Sequence, residues 1–205
     1  MIPAMAQKEL PYHRDNLERD LLKHAADIVK RRGIDALSLR ELGRAAGVSR
    51  AAPYHYFDDK AALLQRLGAE AFGQLAAAIR KRAAQSTDPS ERLRLGLRAY
   101  YDFALRERHA FVLMFADILA RDIKPKPGAI PFAFSSPEAM DAFGLMQEGV
   151  RDWLGTRPKD GRDPDLLANV FWAFTHGVAV LALDGNVKHG DPRRVLDAGL
   201  DALMT

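Results

Sequence analysis

The sequence predicts an all-α fold of about nine helices, and three observations carry that reading. Apolar residues recur at three- and four-residue spacing through most of its 205 positions. Helix starts are signed by a capping residue followed by proline, or by glutamate three positions on. No stretch alternates apolar and polar residues as a half-buried strand requires. With 48% of its residues hydrophobic, the chain can bury a substantial core.

Leu17, Leu21, Ala25, Ile28 and Val29 mark a first helix over 14–32, and the basic pair Arg31 and Arg32 followed by Gly33 closes it. A tight link, Ile34-Asp35-Ala36, leads to Ser38-Leu39-Arg40-Glu41, which matches the capping box S-x-x-E and is flanked by Leu37 and Leu42 as a hydrophobic staple. The second helix stops near Ala46 because Gly47 supplies a left-handed exit, and Ser49 can cap a third almost at once. Pro53 falls inside that third helix. If Ser49 is the cap, the proline loses only the bond to the capping carbonyl, while its fixed φ stiffens a very short element.

A fourth helix opens at Asp58 or Asp59 and continues through Leu63, Leu64, Leu67, Phe72 and Leu75 toward Arg82. Thr87-Asp88-Pro89 begins the next, with the stripe Leu93, Leu97, Tyr100, Tyr101, Ala104 and Leu105, and a break near His109 precedes Phe111, Met114, Phe115, Ile118 and Leu119. Prolines at 125, 127, 131 and 137 make 122–137 a loop. Helices are expected over about 137–154, 164–184 and 191–204.

Composition removes several classes of function. With no cysteine there are no disulfides, thiolate zinc sites or cysteine nucleophiles. The N-terminus lacks a signal-type apolar run, and the longest apolar stretch, Val170 to Leu183, carries His176 and reads as too short for a bilayer, so a cytoplasmic protein is expected. No Ser/His/Asp context, phosphate loop, nucleotide fingerprint or paired carboxylates suggest an enzyme or a cofactor. His176, Asp184, His189 and Asp191 lack compact ligand spacing, and no metal is expected. The net charge is +3, and residues 36–57 hold Arg40, Arg44 and Arg50 against Glu41 alone, which hints at an anionic partner.

Two short helices joined by a glycine turn, preceded by a longer amphipathic helix, describe a helix-turn-helix module. Spacing alone equally fits a helical hairpin in any all-α core. The residues themselves say more. Leu39-Arg40-Glu41-Leu42-Gly43-Arg44-Ala45-Ala46-Gly47-Val48-Ser49, followed by Tyr54-His55-Tyr56-Phe57-Asp58-Asp59-Lys60-Ala61-Ala62-Leu63, resembles the tetracycline-repressor (TetR) family of transcriptional regulators over roughly the first third of the chain. Downstream, Phe171-Trp172-Ala173-Phe174-Thr175-His176-Gly177 resembles the Trp-x-x-x-His-Gly signature of one C-terminal domain type of that family, and Ala52-Pro53-Tyr54 a recognition-helix variant seen with it.

The resemblance implies a helix-turn-helix DNA-binding domain over 1–57 and a helical ligand-binding and dimerisation domain over 58–205. It implies a sequence-specific regulator, a repressor released by a small apolar or amphipathic ligand. Its partners would be a palindromic double-stranded operator and a second copy of itself. Ser49, Arg50, Ala51 and His55 are placed to meet major-groove base edges, and Arg40, Tyr54, Tyr56 and Lys60 to hold the backbone. Lys60 is assigned to a phosphate at a helix N-terminus, with a solvated surface lysine as the plain alternative. Basic residues Lys8, His13 and Arg14 either touch flanking backbone or form a free tail.

In the C-terminal part, the family's inducer pocket points to Tyr100, Tyr101, Phe103, Met114, Phe115, Phe143, Met146, Trp172 and His176 as lining candidates, each of which is also ordinary core by composition. The 164–184 helix is apolar on nearly every face, so part of it is expected to meet a second subunit. Phe171, Phe174, Gly177, Val178, Leu181, Leu196, Leu200 and Leu203 are the interface candidates, and His176 is placed near that seam. The alternative reading is an all-α small-molecule carrier or enzyme that retains a helix-turn-helix, and indifference to DNA would favour it.

Overall fold

In the computed structural model, which describes residues 14–119, 136–188 and 190–205, regular structure consists of eight α-helices and two 3-10 turns, with no strand among the described residues. The helices are α1 (Arg14–Arg32), α2 (Leu39–Ala45), α3 (Lys60–Ala83), α4 (Pro89–Arg106), α5 (Arg108–Leu119), α6 (Pro137–Gly155), α7 (Pro164–Leu183) and α8 (Pro192–Leu203). The 3-10 turns are Ile34–Ala36 and Ala52–His55. The expectations for Lys8, His13, His189 and the 122–135 part of the loop fall outside the described residues.

Four helices begin in the same way, and the sequence shows why. Asp88, Ser136, Asp163 and Asp191 each sit in extended backbone, accept a hydrogen bond from an N–H of the first turn, and are followed by proline. The side chain satisfies a donor left orphaned by the helix end, and the proline sits where no donor is needed. Each such cap contributes about 1 kcal/mol.

Two compact units divide the chain, and their boundary lies inside α3, between Arg66 and Leu67. The first turns of α3 stay with the N-terminal unit because Leu63 is buried there, Arg66 pairs with Glu18 at 3.3 Å, and Lys60 bonds Ile34. In that unit Leu21, Leu22, Ala25, Leu37, Leu39, Leu42 and Phe57 complete the core.

The C-terminal unit is built around α4, which packs on α6 and α7, with α7 in turn against α8. Leu97, Phe103, Val150, Trp153, Phe171, Leu196 and Leu200 are its most enclosed apolar side chains. Three ion pairs run down the contact between α4 and α8: Arg94 to Asp201 at 2.6 Å, Arg98 to Asp197 at 2.8 Å, and Asp102 to Arg193.

Two sequence expectations change here. The break after α4 comes at Glu107, whose N–H bonds Phe103 carbonyl, two residues before His109. Helix α7 has 20 residues and is long and apolar enough to cross a membrane by length and composition, so the stretch is longer than it reads. Its inner face is nevertheless core, and only a third of its most apolar window is buried in the protomer. Of the remainder, Trp172, Phe174 and Val180 pack half-buried against the core, and Leu166, Val170 and Leu181 are exposed.

Candidate functional site

The N-terminal unit presents one surface whose construction starts at Ser38. Its Oγ accepts from the Glu41 N–H at 3.1 Å, as the capping box predicts. The Glu41 carboxylate is gripped by Arg44, at 2.9 and 2.7 Å, and by Arg32, at 2.6 Å. Those two guanidinium groups, Arg44 first, hold its pKa down to about 2. Arg44 and Arg32 are therefore neutralised locally. Arg40 and Arg50 are exposed and have no ion-pair partner among the described residues.

Gly47 takes φ +68°, the left-handed exit that ends α2. The segment after it then crosses close over α2 at Gly43. A Cβ there would lie 2.9 Å from the Ser49 carbonyl oxygen and 3.3 Å from Arg50 Cα, so only glycine allows this approach. Nothing in the spacing of the motif singles Gly43 out, and the sequence reading missed it.

The third helix is not an α-helix, which corrects the sequence expectation. Ser49 Oγ accepts from the Ala52 N–H at 3.2 Å, and Ala52–His55 winds as a 3-10 turn. Pro53 lacks the N–H that an α-helix would use, while its neighbours bond three residues back: Ala52 to Ser49 and Tyr54 to Ala51, both at 3.1 Å. Pro53 itself is buried against Gly43, and Phe57 is buried below it. Outward from this support stand Ser49, Arg50, Ala51, Tyr54 and His55, all exposed, with Tyr56 half-buried beside Phe57.

Lys60 needs a different account from the one the sequence suggests. Asp59 caps α3 by accepting from the Ala62 N–H at 2.8 Å. The half-buried Lys60 directs its Nζ to the Ile34 carbonyl at 2.8 Å. One of its three donors thus ties α3 to the link between α1 and α2, and two are left for another acceptor.

The C-terminal unit gathers an aromatic chamber. The Tyr100 hydroxyl, from α4, shares a hydrogen bond with His176 Nδ1 at 2.8 Å. Around His176 stand Phe115, Phe111 and Trp172, with ring centres at 4.7, 5.5 and 5.6 Å. Burial pushes the Tyr100 hydroxyl far above its ordinary range and lowers the His176 pKa, so both groups are neutral near pH 7. His176 therefore faces the aromatic chamber.

A small apolar space of about 20 Å³ lies beside it, lined by Tyr100, Phe143, Met146 and Trp172 of the expected residues and by Phe72, Leu75, Ala139 and Ala142, which the sequence did not indicate. Phe103, Met114, Phe115 and His176 do not line this space. The first two are buried in the core, while Phe115 and His176 belong to the adjoining ring cluster. Tyr101 points elsewhere, with the Arg193 guanidinium 6.0 Å over its ring, because adjacent residues on α4 cannot share a face. A cleft of about 170 Å³ opens between α3, α4 and α6 on the other side of Met146.

The outer face of α7 is apolar and uncovered. Leu166 is 64% exposed and Leu181 48%, and Val170 and Ala173 stand between them on the same side. Gly177 lies in that row with nothing within 4 Å of where its Cβ would be. Of the interface candidates, Phe171, Val178, Leu196 and Leu200 are buried within their own protomer. The spacing that carries Phe171, Thr175 and Val178 turns them inward. Phe174 and Leu203 are half-buried, and Phe174 covers Gly199 of α8.

Among the described residues no three His, Asp or Glu side chains converge as a metal site would require.

Comparison with known proteins adds the following. Residues 21–67 match the model of bacterial regulatory proteins of the tetR family, and residues 93–203 match that of the tetracyclin repressor-like C-terminal domain. A protein of unknown function from Rhodococcus sp. RHA1 is 31% identical, with a TM-score of 0.78, over 96% of this chain and 97% of that one. FadR of Bacillus subtilis, solved with stearoyl-CoA, superposes with a TM-score of 0.69 at 14% identity, covering 92% and 98% of the two chains, a likeness of fold. The HTH-type transcriptional activator FasR of Mycolicibacterium smegmatis is 28% identical over 102 residues, 50% of this chain, and the match spans about half of that protein, 47%.

Proposed function

This chain belongs to the TetR family of bacterial regulatory proteins, and on that premise we propose that it is a cytoplasmic, sequence-specific DNA-binding regulator that works as a homodimer and answers to a small apolar or amphipathic ligand. The observation that carries the proposal is the 3-10 turn over Gly43. It lifts Arg50, Ala51, Tyr54 and His55 out of the protein while Pro53 and Phe57 anchor them from below. Arg50 can reach guanine O6 and N7, and Ala51 a thymine methyl. Arg40, Ser49, Tyr54, Tyr56 and the remaining donors of Lys60 hold the sugar-phosphate backbone.

Two copies joined through the uncovered faces of α7 and α8 would present two such surfaces to a palindrome, with half-sites spaced by whole turns of the duplex. The effector binds between α3, α4, α6 and α7. The stearoyl-CoA held by the Bacillus subtilis structure is an amphiphile of the class proposed. FasR is a transcriptional activator, so the sign of regulation is itself a point to test, with ligand-released repression the expected direction. No catalytic step is assigned to any residue.

Selection of bound sites from a random DNA pool tests the proposal. A motif with two-fold symmetry is the expected result, with affinity that falls linearly against log salt. Arg50→Ala relaxes the preference at one position of each half-site, at a cost of about 1–3 kcal/mol in discrimination. Binding that ignores DNA sequence altogether would favour a small-molecule carrier that retains the helix-turn-helix.

A further inference from the structure

We propose that Met146 is the partition between two compartments of one binding site, and that it sets the length of an aliphatic chain the site accepts; this rests on the effector reading above. The inner compartment has an apolar, largely aromatic lining, and its volume of about 20 Å³ is roughly that of one water molecule. No effector fits there as the side chains stand. The outer cleft, about 170 Å³, has an apolar floor that includes Leu93, Leu97 and Leu145. Met146 lines both spaces, and it is the single residue common to the two linings.

The order of chemistry along this path is that of an amphiphile. At the mouth of the cleft Arg92 pairs with Asp152 at 3.1 Å, and Arg80, also at the mouth, pairs with Asp141. A polar head can exchange with these exposed carboxylates, whose pairing is worth little in water. Gly96 and Gly149 lie on this floor, where a Cβ would meet Ile79 Cγ2 at 3.4 Å and Leu93 Cδ1 at 3.3 Å, so neither position has room to spare for a larger side chain. Beyond the floor stands Met146, 7% exposed, and beyond it Phe143, Trp172 and Tyr100. Methionine is unbranched, with three rotatable bonds, so its thioether can swing aside and line the path it had closed. A β-branched or aromatic residue at that position would have no such option.

Calorimetric titration of the full chain with octanoate and with palmitate, on wild type, Met146→Phe and Met146→Ala, tests the partition. Operator binding by each variant serves as the check that it folds. Wild type is expected to bind palmitate more tightly than octanoate. Met146→Phe weakens palmitate about tenfold, the loss of roughly two buried methylenes, and leaves octanoate within about twofold. Met146→Ala shifts the preference further toward palmitate. If both variants keep the wild-type length preference, the partition is overturned and the effector reading stands. If wild type binds neither acid while it still binds its operator, the aliphatic class and the partition fall together.

Discussion

At the scale of single residues, the closest constraint in the DNA-reading surface is Gly43. The carbonyl of Ser49 and the Cα of Arg50 occupy the space a side chain would need, so Gly43→Ala must push the 3-10 turn outward. The expected cost is about 1–3 kcal/mol by urea unfolding, with a larger loss of operator affinity than of stability. An alanine variant that binds DNA as wild type does would show that this close approach does not matter. His176 supplies a second prediction, with the same pH sense as a salt-bridged carboxylate but in a higher window. Its folded pKa lies below its unfolded value because burial disfavours the cation. Its contribution is therefore complete above about pH 6.5, the ordinary histidine value, and is lost as pH falls below that. Glu41 has that sense in a lower window: Arg44 and Arg32 lower its pKa to about 2, so its contribution is present above the ordinary carboxylate range and disappears only as pH falls toward that value. Thermal melts between pH 7.5 and 5.5 should accordingly show a decline in wild type that His176→Gln flattens, with Glu41 silent throughout. Equal slopes in the two proteins would mean the imidazole titrates normally.

At the scale of elements, α7 asks the hardest question of the sequence. A helix apolar on every side does not say which face is core, and the interface candidates divided accordingly, half of them inward. Packing settles it by geometry: α4 and α8 take the face with Phe171, Thr175 and Val178, and Leu166, Val170 and Leu181 are left outside. Leu181→Glu is therefore expected to shift sedimentation from dimer to monomer with little loss in the unfolding free energy of the protomer. Phe171→Ala should do the reverse, costing about 3–5 kcal/mol of protomer stability. A dimer that survives Leu181→Glu would place the seam elsewhere. The recognition segment carries the matching lesson. Ser49 and Pro53 identify a short, stiff turn in the sequence, but its close approach to α2 depends on Gly43 beneath it, which local pattern does not reveal.

For the whole molecule, what could be read in advance was local and what could not was long-range. The four cap-proline starts, the end of α1 at Arg32 and the burial of Phe57 all follow from residues within one turn of each other. The Lys60 bond to Ile34, the sharing of Met146 between two spaces and the placing of the unit boundary within α3 each join residues far apart in the chain, where periodicity is silent. The same is true of the three ion pairs between α4 and α8, and their order has a consequence. Two rungs have arginine on α4 and aspartate on α8, and the third has the signs exchanged. Slide α8 by one helical turn in either direction, and Asp102 comes to face Asp197 or Arg98 comes to face Arg193. The ladder is thus keyed, like teeth that mesh in one register alone. A guest in the aromatic chamber that displaced Tyr100 along α4 would meet these like-charge encounters as a bias against slippage past α8, modest because the pairs are partly exposed.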